Sequence, residues 1–167
     1  QVDPAIADLE AWASRRDDAT DARRALAIAY LEAGHLDKAL PTHEALIELL
    51  PNDPHLLRNL ASLYLAGRDE RALDLAERAF RAAPRDALVL DTLGWVLVTQ
   101  GEVNEALTHL REAHSRAARN PTIRYHIGAA LAKLSRNQEA RRELDGALNL
   151  AIPFPEREAA QNLRASL

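Results

Sequence analysis

Cysteine and methionine are both absent from the 167 residues, and aromatic residues make up only 4% of them. Without cysteine there is no disulfide framework, no thiol nucleophile and no thiolate metal site, and redox compartment is unreadable from cysteine usage. Without methionine there is no initiator, so the sequence reads as a processed or excised piece. With so few aromatics, most buried area has to come from alanine and leucine, which are strong helix formers and point to an all-α chain. No apolar run approaches the roughly 18 residues of a membrane span, and nothing resembles a signal peptide. A basic excess is also missing. The formal net charge is -4 and the pI near 5.9, which argues against a protein that tracks nucleic-acid phosphates. What is present, 47% hydrophobic and 28% charged residues, falls in the ordinary soluble range and suffices for one domain.

The chain is self-similar. The segments LAIAYLEAGHLDKAL, LASLYLAGRDERAL, LGWVLVTQGEVNEAL and IGAALAKLSRNQEAR align, their first apolar residues Leu26, Leu60, Leu93 and Ile127 separated by 34, 33 and 34. The alanines Ala39, Ala72, Ala106 and Ala140 follow at 33, 34 and 34. A small residue recurs as Ala27, Ala61, Gly94 and Gly128, and a turn residue as Gly34, Gly67, Gly101 and Ser135, which places the missing residue of the second copy between Tyr64 and Gly67. Each unit reads as two helices. Leu90, Leu93 and Leu97 show the spacing of the first, Ala106, Leu110 and Ala113 that of the second, and the glycine between suits a left-handed cap. Pro51 and Pro84 mark where second helices stop, with Pro121 and Pro153 acting near the ends of the later copies.

A helix-turn-helix repeat of about 34 residues with apolar, small, aromatic, Gly, Ala and terminal Pro positions resembles the tetratricopeptide repeat, or TPR, family. In the first copy these are Leu26, Ala27, Tyr30, Gly34, Ala39 and Pro51. The departures are Arg23, Leu57, Leu90 and Arg124 at the family's early Trp position, and Leu97 where Tyr is common. The resemblance implies a right-handed α-solenoid of about ten antiparallel helices. It divides the chain into the second helix of a truncated preceding repeat over 1–19, repeats over 20–53, 54–86, 87–120 and 121–152, and a C-terminal capping helix over 153–167. At the front, AIADLEAWASRRDD keeps second-helix spacing through Ala5, Leu9 and Trp12 with no first helix ahead, so the chain is expected to start in mid-repeat. At the back, PFPEREAAQNLRASL spaces Ala160, Leu163 and Leu167 along one face, as a solenoid cap requires. At a narrower level LDTLGWVLVTQG, IRYHIGAALAKL and PFPEREAA resemble the C-terminal end of TPR lipoproteins of bacterial PEP-CTERM/exosortase systems. That resemblance implies a membrane-anchored scaffold at the cell envelope, on the periplasmic side, accompanying exopolysaccharide gene clusters, with its anchor upstream.

No residue pattern points to catalysis, a cofactor or a metal. None of the histidines His35, His43, His55, His109, His114 and His126 pairs at i, i+4, so surface or packing roles are expected. RRDDATDARR, read as an inter-helix loop, and AERAFRAAPRD mix their charge signs, as solvated faces do. EREAAQNLRASL has too weak an apolar face to insert into a membrane. In TPR arrays the first helices line a concave groove, and by matching position its residues here are Arg24, Ile28 and Leu31; Arg58, Ser62 and Leu65; Asp91, Trp95 and Val98; Tyr125, Ala129 and Ala132. Each trio is spaced i, i+4, i+7 and forms one stripe. Two roles are open to Trp95: facing a partner in the groove, or packing on the neighbouring first helix near Tyr125. The family's carboxylate clamp is a poor match, because Ile28 stands in place of Asn and Leu88 and Thr92 in place of cations. The expected function is a non-catalytic scaffold for a protein or peptide partner. An accessory module of a larger enzyme and a self-assembling homo-oligomer are the alternatives.

Overall fold

The computed structural model describes residues 4–14 and 20–167. Residues 15–19, which carry half of RRDDATDARR and the expected loop, lie outside the described residues, as do residues 1–3. Among the described residues there are ten helices and no strand: α1 (Pro4–Ala13), α2 (Thr20–Glu32), α3 (Leu36–Leu49), α4 (Pro54–Ala66), α5 (Ala72–Ala82), α6 (Ala87–Gln100), α7 (Val103–Arg116), α8 (Pro121–Lys133), α9 (Asn137–Leu148) and α10 (Arg157–Ser166). None is long and apolar enough to cross a membrane. The helices form two compact units, one ending at Ala82 and the other running from Ala83 to Leu167. In the first unit each helix packs on the next from α1 to α5; in the second the same holds from α6 to α10, and α6 also touches α8.

The first helices α4, α6 and α8 begin alike. Asp53, Asp86 and Asn120 each accept hydrogen bonds from the backbone N–H groups two and three residues ahead, at 2.8–3.4 Å, filling two of the donors a helix start leaves open. Their ends are also alike. An N–H bonds the carbonyl five residues back in every copy, from His35 to Tyr30, Asp69 to Tyr64, Glu102 to Leu97 and Arg136 to Leu131, at 2.8–3.0 Å. This pattern requires a left-handed residue just before the donor. Gly34 and Gly101 supply it with φ of 74° and 94°, and Ser135 with 58°.

The second copy corrects the sequence alignment. Gly67 is right-handed, at φ -79°, and Arg68 takes the left-handed conformation at φ 57°. Arg68 therefore corresponds to Gly34, and the missing residue falls after the turn, not between Tyr64 and Gly67. The deletion shortens the second helix, so that α5 begins only at Ala72.

Packing inside each pair turns on the small residue of the first helix. A Cβ built on Gly94 would lie 2.6 Å from Leu110 Cγ, and one on Gly128 would lie 2.8 Å from Leu144 Cγ, so those positions admit no side chain unless the leucine moves. In the first unit the small residue is alanine, Ala27 and Ala61, and the register of Leu110 is held by His43 and Ala76, all four fully buried. At the C-terminal end Phe154 and Ala160 are buried with Leu144 and Ala147, and Tyr125, Leu148, Leu163 and Leu167 pack around them.

Candidate functional site

In the second unit Asp91 and Trp95 stand one turn apart on α6, and Tyr125 and His126 are adjacent on α8, which packs against it. The Trp95 indole stacks on the His126 ring with centroids 4.2 Å apart and planes 12° from parallel. Tyr125 lies 5.9 Å from Trp95 at a tilt of 50°. Below this stack His126 Nδ1 is 2.8 Å from Asp91 Oδ1, with Asp91 only 7% and His126 6% exposed. A buried carboxylate needs such a partner, because an unpaired charge out of water is costly. Trp95 and Tyr125 keep part of their surface in solvent. Burial, and then the charge of Glu156, push the Tyr125 hydroxyl above its ordinary pKa, so it stays a neutral hydrogen-bonding group at physiological pH.

Of the two roles open to Trp95, packing on α8 is seen here, and the side chain remains half-buried. The other stripe residues of this unit divide. Val98 is fully buried and Ala129 is 8% exposed, so both serve packing, while Ala132 is half-buried. Asp91 is turned into the helix pair, with His126 taking its carboxylate, so it is not available to orient a ligand from outside. Sequence reasoning places His126 only among the surface or packing histidines. Its register, shared with the buried polar residues Asn59 and Thr92, is the signal that marks it as interior.

In the first unit the stripe is more open. Ile28 is 41% exposed, Ser62 is exposed, and Leu31, Leu65 and Arg58 are half-buried. Arg24, expected to face a partner, is bound instead to Asp53, with Nη1 2.8 Å from Oδ2. Burial alone would raise the pKa of Asp53, but the Leu56 and His55 N–H groups together with Arg24 hold it below the usual carboxylate value. Arg24 therefore braces the start of α4. The buried histidine of this unit, His43, is on α3. Its Nδ1 lies 2.8 Å from the Ala39 carbonyl oxygen, so Nδ1 carries the proton and Nε2 accepts from Asn59 Nδ2 at 3.2 Å. Burial, reinforced by the charge of Arg58, lowers its pKa.

No group of three or more His, Asp and Glu side chains that could hold a metal ion occurs among the described residues. Two clefts are lined by residues outside the stripes. One of about 320 Å³ in the first unit lies between Glu44 and Ile47 of α3, Leu60 and Tyr64 of α4, and Asp74 and Arg78 of α5, and one of about 620 Å³ in the second lies between the Arg116–Thr122 turn and Ile152–Pro155.

Models of the tetratricopeptide repeat match residues 20–63 and 60–144, the latter just over half of the chain. Among solved structures, a thermophilic TPR protein of Thermus thermophilus aligns with 97% of this chain and 88% of its own at TM-score 0.75 and 24% identity. YrrB, described as a TPR protein with an unusual peptide-binding site, aligns with 97% of this chain and 82% of its own at TM-score 0.68 and 18% identity. MamA of Desulfovibrio magneticus RS-1 covers 80% of this chain and 76% of its own at TM-score 0.64 and 19% identity. At these identities the likeness shows the fold, an α-solenoid of the TPR type. Human aspartyl/asparaginyl beta-hydroxylase is 27% identical over 111 residues, 64% of this chain, and the mouse protein 26%. The chain spans about a seventh of the length of these relatives, 14% and 15%.

Proposed function

The chain belongs to the tetratricopeptide repeat family, and from that premise we propose that it is a non-catalytic scaffold that holds a peptide or a partner's helix against its first helices. The observation that carries this reading is the pair Trp95 and Tyr125, two aromatics 5.9 Å apart that keep solvent-facing surface in a chain with only 4% aromatics. Exposed apolar surface lowers solubility, and tryptophan and tyrosine are the residues that most often anchor interfaces. In the second unit a partner rests on Trp95 and Tyr125; taken by itself, the first unit offers Ile28, Leu31, Ser62 and Leu65, with Arg58 beside them. A peptide site in the structurally similar YrrB supports the general mode. The narrower resemblance to exosortase-system lipoproteins would set this scaffold at the bacterial envelope and rests on the sequence phrases alone. The match to the hydroxylases favours a second reading, an accessory module within a longer enzyme.

The test uses peptides selected by display against the intact chain. Trp95→Ala is expected to weaken their binding by about 2 kcal/mol or more, as loss of an interface anchor does. Its stability cost should stay below that of Tyr30→Ala, a core aromatic whose truncation costs about 3–5 kcal/mol. Unchanged affinity together with a large stability loss for Trp95→Ala would assign this tryptophan to packing alone and remove the anchor.

A further inference from the structure

The cleft between α3, α4 and α5 of the first unit has a counterpart in the second. It lies between α7, α8 and α9, has a volume of about 260 Å³, and is lined by Ile127 and Leu131 where the first has Leu60 and Tyr64. At equivalent positions the charges are reversed: Glu44 of α3 corresponds to Arg111 of α7, Asp74 of α5 to Arg142 of α9, and Arg71 to Glu139. The first cleft satisfies its own charges. Glu44 accepts from Tyr64 Oη at 2.7 Å, Arg71 binds Asp69 at 2.7 Å with its guanidinium carbon 4.1 Å from the Tyr64 ring centre, and Arg78 lies 3.8 Å from Asp74 while donating to the Pro51 carbonyl oxygen. In the second cleft the position of Arg78 is Gly146, and both glutamates are taken by arginines that do not line it, Glu139 by Arg136 at 2.7 Å and Glu143 by Arg124 at 3.1 Å. Arg111 and Arg142 are exposed and make no hydrogen bond or ion pair among the described residues, although after Arg136 both help to hold the Glu139 carboxyl below its ordinary pKa.

We propose that the cleft between α7 and α9 binds an acidic segment of a partner protein, a glutamate or aspartate carboxylate held between Arg111 and Arg142 with its methylene stem over Ile127 and Leu131. Two guanidinium forks without partners on facing helices suit a carboxylate, which accepts paired hydrogen bonds from each. A second observation points the same way. His114, which lines this cleft, has its Nδ1 buried with no hydrogen-bond partner. A buried polar atom left unpaired costs free energy, which a bound carboxylate accepting from it would offset. Phosphate is the poorer fit, because Glu139 and Glu143 line the cleft too and repel a double negative charge more than a single one. The site is built of residues outside the first-helix stripes and stands or falls without them.

The test follows the fluorescence anisotropy of a rhodamine-labelled octapeptide of alternating leucine and glutamate as the intact chain is titrated into it at low ionic strength. The expected result is saturable binding at one peptide per chain, weakened at least tenfold by Arg111→Gln and by Arg142→Gln, and weakened by added salt, which screens exposed charges. Both arginines are exposed, so the variants should keep the parent's melting temperature. The same peptide with glutamine in place of glutamate should not bind, and Trp95→Ala should leave the affinity of the acidic peptide within twofold. Absence of saturable binding overturns the proposal, and so does undiminished binding by the two arginine variants or binding of the glutamine peptide. A loss for Trp95→Ala as large as for the arginines overturns it by placing the peptide on the stripe of the second unit. It is equally overturned if a peptide with phosphoserine in place of glutamate binds at least tenfold more tightly, since the occupant would then be a phosphate group.

Discussion

In the unit ending at Ala82 the buried histidine sits on a second helix, its proton held by the Ala39 carbonyl and its lone pair by the Asn59 amide. In the unit beginning at Ala83 the buried histidine sits on a first helix, 2.8 Å from the Asp91 carboxylate and stacked under Trp95. The small residue follows the same division, alanine in the first unit and glycine against leucine in the second. Tyr30 and Tyr64 reach back to glutamates in the first unit, whereas Leu97 and Leu131 hold their register in the second. One repeat geometry thus accepts polar or apolar fillings: His43 across from Ala27, Ala76 across from Ala61, and leucine against glycine in the second unit.

The largest test breaks the volume trade in the second unit. Leu110→Ala should cost about 2–5 kcal/mol of stability, the usual range for a core leucine. Gly94→Ala alone should cost about 1–3 kcal/mol through overpacking. The double variant, which copies the Ala61 and Ala76 pairing of the first unit, should lose measurably less than the sum. Strict additivity in urea unfolding would deny that the two positions are coupled.

A middle-sized effect is the pH dependence that His43 brings to the first unit. His43 has a folded pKa below its ordinary value of 6.5, so the unfolded chain binds the extra proton first as pH falls. Stability from this residue is therefore complete above about pH 6.5 and is lost below it, down to the lowered value, with a slope of at most about 1.4 kcal/mol per pH unit. Urea midpoints measured from pH 7.5 to 5 should flatten in that window in the variant His43→Leu with Asn59→Leu. An unchanged slope would place the titration elsewhere.

The smallest effect concerns the turns. Arg68 pays for a left-handed conformation that Gly34 and Gly101 adopt without a Cβ penalty. Arg68→Gly should raise stability by roughly 0.5 kcal/mol, net of the extra freedom glycine has when unfolded. A loss of stability would mean that the Arg68 side chain contributes more than its backbone costs.

The repeat period makes the helices and their pairing legible, because periodic alanines and leucines report packing directly. Register inside the second copy is misleading in the sequence because its glycine resembles a turn marker, when the backbone bond from Asp69 to Tyr64 sets the turn and tolerates arginine. Pro41 carries a related lesson: it lies in the interior of α3, although the other prolines open helices or lie between them. The stripe is legible as a set of positions but not as a set of exposed side chains. Spacing cannot tell that Arg24 turns to Asp53, or that Asp91 turns inward to a histidine one repeat away.

The Asn59 contact ties the neutral state of an interior histidine to one side-chain amide. His43 Nδ1 is committed to the Ala39 carbonyl, so Nε2 can only accept, and Asn59 has to present its NH₂ group. Deamidation would replace that donor with a carboxylate oxygen facing a lone pair. The pair could then survive only by taking up a proton, converting a neutral contact into an ion pair of the kind Asp91 and His126 can form. A mass change too small to alter the chain's outline would thus move its stability toward acid.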